Sequence, residues 1–131
     1  MCQRGQGVAQ ELFEVFDDES LRGLIVWLPM LPDDNAQAAC AQSELVQDQR
    51  IVKGWDARRA IGDLFASMLG LRCPAWDVYL LYSPGARWDA AEPPRPAFWM
   101  HQLPEAVGAD PTRLLDAEGL AGEVRRLLAA R

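Results

Sequence analysis

Lysine, histidine and cysteine are scarce in this chain, and each shortage removes a class of chemistry. Of 13 basic residues only Lys53 is a lysine. With alanine, arginine and proline plentiful, that imbalance reads as the coding bias of a GC-rich genome and carries no chemistry by itself. His101 is the one histidine, so a zinc site would need mixed ligands at arbitrary spacing, and no metal is expected. Three cysteines (Cys2, Cys40 and Cys73) are too few and too odd in number for a disulfide scaffold, which leaves free thiols in a reducing compartment. No apolar run approaches the roughly 20 residues of a membrane span. The opening MCQRGQGVAQ lacks the apolar stretch of a signal peptide. As written the chain is expected in the cytoplasm; a true start further upstream would leave export open. Positive charge is also short, 13 Lys+Arg against 19 Asp+Glu for a net −6. That argues against nucleic acid or an anionic membrane as the main partner.

Several catalytic signatures are missing as well. None of Ser20, Ser43, Ser67 and Ser83 has the flanking glycines of a nucleophile elbow. Gly5 and Gly7 do not make a phosphate loop, because no strand precedes them and no Lys-Ser/Thr follows. Asp17-Asp18-Glu19 reads as a solvated helix end, since a metal site would need further spaced carboxylates.

What is present is a core-forming composition: half of the 131 residues are hydrophobic and 24% are charged. That length fits a single domain, residues 1–131, whose core can stand without bridges. Val8, Leu12, Val15 and Phe16 fall on one face of a first helix. Gly23 to Leu28 is almost wholly apolar and reads as a strand buried on both faces, as in a parallel sheet, stopped by Pro29 and Pro32. Asp33 and Asp34 are the expected caps of a second helix reaching about Val46, with Ala36, Ala39 and Cys40 as its apolar stripe. Cys40 reads as a small buried apolar residue. Arg50 to Lys53 is a short edge strand.

Asp56 is the expected cap of the strongest helix, whose seam is Ala60, Ile61, Leu64, Phe65, Met68 and Leu69 and whose left-handed C-cap is Gly70. Trp76 to Tyr82 and Ala97 to Leu103 read as an antiparallel pair of strands, separated by the Ser83-Pro84-Gly85 turn and a proline-rich connection. Asp110-Pro111 starts a short helical turn. A final helix, capped by Asp116, carries Leu120, Val124, Leu127 and Leu128 on one face. No repeat or linker interrupts the chain.

This order of elements, and above all the stretch RIVKGWDARRAIGDLFASMLGLRCPAWDVYLLYSPGARW with its Pro74 and Gly85, resembles the thioredoxin-like superfamily in its TlpA and peroxiredoxin-type branch. The resemblance implies an α/β fold: a three-layer sandwich with one mixed central sheet flanked by helices. The N-terminal strand of that sheet has no counterpart here, and neither does an intact Cys-x-x-Cys motif. Counted back from the buried strand, Cys2 stands nearer the family's second, resolving cysteine. Taken instead as the first, it has Gly5 at the partner position. Neither alignment leaves a dithiol.

The resemblance also sets the candidate site. Cys2, near a helix N-terminus, is the candidate catalytic thiol, because free N–H groups and the macrodipole stabilise a thiolate. Its alternative is an inert terminal thiol. Cys73-Pro74 resembles the family's cis-proline, which exposes main-chain groups for peptide pairing, against an ordinary trans proline closing a loop. Trp27, Trp76 and Trp99 are expected on one sheet face, Trp27 in the core, while Trp76 and Trp88 line a binding groove. His101 is expected to be structural or exposed on its strand.

Two functions follow. The first is a redox-inactive or redox-impaired thioredoxin-like module that binds a protein or peptide partner, or a second copy of itself, near Cys73, Pro74, Trp76 and Trp88. The second is a thiol-disulfide oxidoreductase or peroxidase using Cys2. Neither calls for a cofactor. A missing central strand would leave the backbone of residues 23–28 unpaired, so either self-association or strand exchange is expected there, or an authentic start upstream that supplies the strand.

Overall fold

The computed structural model describes residues 3–130, and Cys2 lies outside them. The fold is mixed α/β: four α-helices and two small sheets among the described residues. It divides into two compact units, Met1–Ala60 and Ile61–Arg131.

In the first unit, helix α1 (Gln3–Val15) is followed by strand β1 (Gly23–Trp27), helix α2 (Ala36–Glu44) and strand β2 (Ile51–Trp55). β1 and β2 pair in parallel, Gly23 opposite Ile51 through Trp27 opposite Trp55. The edge strand expected at 50–53 therefore runs two residues further, because Gly54 and Trp55 continue the ladder beside Val26 and Trp27. Phe13, Val46 and Ile51 form the core here, with Leu12, Leu21 and Ile25 packed against them. α1 thus covers the sheet face that carries Gly23, Ile25 and Ile51. Gly23 is required by that approach, since a Cβ there would lie 2.8 Å from the Phe13 ring.

The opposite face departs from expectation. Residues alternate across a strand, so Leu24 and Val52 point away from α1 together. They are 66% and 64% exposed, and β1 is therefore not buried on both faces. The caps of α2 also differ. Asn35, extended at φ −150°, accepts from the Ala38 N–H at 2.9 Å, whereas the Asp34 carboxylate turns back to the N–H groups of Met30 and Leu31. Asp34 thus stabilises the preceding turn, and the helix starts one residue later than expected. Only Ala39 of the predicted stripe is buried; Cys40 is exposed, contrary to expectation.

The second unit holds helix α3 (Ala60–Leu69), strands β3 (Val78–Leu81) and β4 (Phe98–His101), two 3-10 turns at Glu105–Val107 and Pro111–Arg113, and helix α4 (Ala117–Ala129). α3 does not begin at Asp56, because Arg59 has φ 59°, and a left-handed residue cannot lie within a right-handed helix. Its end is as expected. Gly70 is left-handed at φ 72°, Leu71 donates to the Ala66 carbonyl at 2.9 Å, and Gly70 donates to Ser67, which is a Schellman ending.

β3 and β4 are antiparallel, Val78 opposite His101 and Leu81 opposite Phe98. Asp116 caps α4 by accepting from Gly119 at 3.0 Å, and its Leu120, Val124 and Leu127 are buried, as the periodicity predicts. Burying a leucine as completely as Leu120 is worth about 2–3 kcal/mol. Pro111 opens its short turn with Asp110 as cap.

The strands thus form two separate two-stranded sheets, one parallel and one antiparallel, where one mixed sheet was expected. Trp27 and Trp99 consequently lie in different sheets, and Trp76 precedes β3 instead of lying within it. Trp27 is buried, as predicted. No helix among the described residues is long and apolar enough to cross a membrane.

Candidate functional site

The segment between α3 and β3 brings together three of the residues singled out in the sequence. Cys73, Pro74 and Trp76 are half-buried there, and Cys73 is a free thiol. Backbone bonds pin the segment at both ends: Arg72 donates to Val107 at 2.9 Å, and Ala75 donates to Gly62 of α3 at 2.8 Å. Every peptide bond among the described residues is trans, the one before Pro74 included, so of the two readings of Pro74 the ordinary trans proline is the one present. Trp88 is placed elsewhere. It packs edge-on against Phe65 of α3, with ring centroids 5.9 Å apart, and is 44% exposed.

Immediately before β3, Asp77 adopts φ 49°. Aspartate tolerates the left-handed region better than most side chains, yet the conformation is costly and must be held by its surroundings. The Gln102 N–H does part of this by donating to the Asp77 carbonyl at 2.9 Å.

That single bond fixes the phase of the whole hairpin. Asp77 and Gln102 belong to a hydrogen-bonded pair, and bonded and non-bonded pairs alternate along an antiparallel ladder. Tyr79 and Leu81 therefore bond inward to β4, whereas Val78, Leu80, Trp99 and His101 direct their N–H and C=O groups outward. On the β4 side both outward carbonyls are engaged: Leu115 donates to the His101 carbonyl at 2.8 Å, and Arg113 Nη1 donates to the Trp99 carbonyl at 3.2 Å. On the β3 side, the outward groups of Val78 and Leu80 have no partner among the described residues.

A side-chain cluster holds the blocked edge of β4 in place. The Arg113 guanidinium stacks over Trp99, 5.1 Å from the ring centroid. His101, 1% exposed, accepts at Nδ1 from the Leu103 N–H, so its other nitrogen, Nε2, carries the proton and donates to the Asp110 carbonyl at 2.7 Å. Both ring nitrogens are thus used structurally. The Asp110 carboxylate lies below its ordinary range, held chiefly by the Thr112 hydroxyl and then by the Thr112 N–H.

The sequence pointed to the half-buried segment but missed the open row beside it, because backbone groups leave no mark in residue type. Two shallow clefts, about 320 and 360 Å³, belong to the first unit and share Gln10 and Leu45; neither includes a residue of the 73–76 segment. Among the described residues no group of three or more His, Cys, Asp or Glu is placed to hold a metal ion. In comparisons with known proteins, the chain matches no protein family, no curated protein and no solved structure.

Proposed function

We propose that this chain is a thioredoxin-like module without a working dithiol, which binds an extended segment of a partner protein along the open edge of β3. The observation that carries the reading is the unpartnered backbone of Val78 and Leu80, two residues apart on one edge and directly after Cys73, Pro74 and Trp76. An edge strand offers alternating donors and acceptors, and an added strand satisfies them while neighbouring side chains select the sequence. Trp76 supplies an amphipathic aromatic at the start of that edge, the residue type that anchors peptide grooves. The order of helices and strands supports the thioredoxin-like assignment. The oxidoreductase alternative rests on Cys2, outside the described residues, and gains no support from Cys40 or Cys73, both free.

The test is selection from a displayed library of random linear peptides, followed by titration of the best binder into isotope-labelled protein. Shifts and slowed exchange at the Val78 and Leu80 amides are expected. Leu80→Pro, which removes an outward N–H while sparing the ladder to β4, is expected to abolish binding. A library that yields no binder, or a binder that leaves both amides unchanged, would overturn the reading.

A further inference from the structure

The first unit has an open strand edge of its own, and its bonding phase is equally determined. Gly23 donates to the Arg50 carbonyl at 3.0 Å, and Asp56 donates to the Trp27 carbonyl at 3.0 Å. In a parallel ladder one strand bonds to its partner through alternate residues. Gly23, Ile25 and Trp27 therefore bond toward β2, while Leu24 and Val26 direct both N–H and C=O away from it. These four outward groups have no partner among the described residues.

We propose that this edge pairs with β1 of a second copy of the chain, antiparallel, about a two-fold axis through Ile25. The geometry is self-complementary. With Ile25 opposite its own copy, Leu24 stands opposite Val26 of the second copy and Val26 opposite Leu24. Both pairs are of the hydrogen-bonded kind, so all four outward groups on each copy are satisfied. The charge pattern selects this occupant. The chain carries a net −6, which repels a second copy over most of its surface, yet residues 23–28, GLIVWL, contain no charge at all. Neither a charge nor a proline within β1 guards this edge, as natural edges are commonly guarded. Pairing also places Leu24, 66% exposed, beside Val26 of the second copy, so part of the apolar surface around Leu24 and Val52 is covered. The proposal is independent of the peptide reading at β3, since the two edges use different residues.

Light scattering on the eluting protein, across a hundredfold range of concentration, reads the stoichiometry. Residue-resolved amide exchange on the same wild-type samples reads the edge. The expected result is a mass that doubles with concentration while the Leu24 and Val26 amides gain protection together. Val26→Pro, which deletes one outward donor on each copy, is expected to leave a monomer. A strictly monomeric wild type would overturn the proposal. So would a dimer in which the Leu24 and Val26 amides stay as exchangeable as in the monomer, because its contact would lie elsewhere.

Discussion

Asp48 and Arg50, two residues apart, are joined through both carboxylate oxygens, with Arg50 Nε 3.0 Å from Oδ1 and Nη2 2.6 Å from Oδ2. The same guanidinium donates to the carbonyls of Phe13 and Phe16 at 2.5 and 2.6 Å and lies 5.0 Å over the Phe13 ring. Asp48 fixes the fork, and the fork closes the C-terminal end of α1, where carbonyls lack helical partners and a cation meets the negative end of the dipole.

Arg50→Met is therefore expected to fray α1 and lower the melting temperature by about 5 °C. Arg50→Lys should recover only part of this, because an ammonium cannot span both the carboxylate and the helix end. Circular dichroism melts of the three proteins check it; equal melting temperatures would mean the clamp is ornamental.

Acid stability follows from the same pair. Asp48 is held below the ordinary carboxylate range, first by the Arg50 side chain and then by the Arg50 N–H. The unfolded chain takes up that proton at a higher pH than the folded one, so the stabilisation is complete above the unfolded value, near pH 4, and is lost as pH falls through the lowered folded value. Asp48→Asn should be less stable than wild type at pH 7, with the gap closing on acidification. Denaturant titrations at pH 7 and at low pH measure the two gaps.

Tyr82 presents the opposite case. Its hydroxyl is out of solvent without a hydrogen-bond partner among the described residues, and burial raises its pKa. Tyr82→Phe removes the orphan and is expected to be neutral or to stabilise by about 1 kcal/mol. A raised folded value means stability that is intact below the unfolded value, near pH 10, and declines as pH climbs above it. Wild type should lose stability there faster than Tyr82→Phe in alkaline denaturation.

His101→Leu should cost roughly 1–3 kcal/mol, because it orphans the Leu103 N–H in a buried place and takes the donor away from the carbonyl of the exposed Asp110. Chemical denaturation measures the loss. A cost under about 1 kcal/mol would indicate that water replaces both contacts.

Local pattern made much of this fold legible. The Gly70 ending of α3, the α4 stripe under Asp116 and the turn at Pro111 all stand where periodicity and capping put them, whereas the buried residues of α3 are Gly62 and Ala66, outside the predicted seam, whose Ala60 and Leu64 are exposed. What escaped is what depends on partners distant in sequence. Asp34 and Asn35 are equally good caps by type, and only the turn at Met30 and Leu31 decides between them. Val15 fits the α1 stripe yet is 67% exposed, and Cys40 likewise belongs to a stripe that the core does not reach. The division of the strands between two sheets depends on pairing, which the apolar runs 23–28 and 76–82 do not encode. At the candidate site, Cys73, Pro74 and Trp76 were visible as residue types. The open row of Val78 and Leu80 was not, since it depends on which carbonyl Gln102 meets.

Residue-resolved amide exchange across β3 in the partner-free protein tests that open row most directly. Fast exchange is predicted at Val78 and Leu80 and slow exchange at Tyr79 and Leu81, an alternation with the period of the ladder. Four amides equally protected would contradict it, since β3 would then already have a neighbour on its outer side.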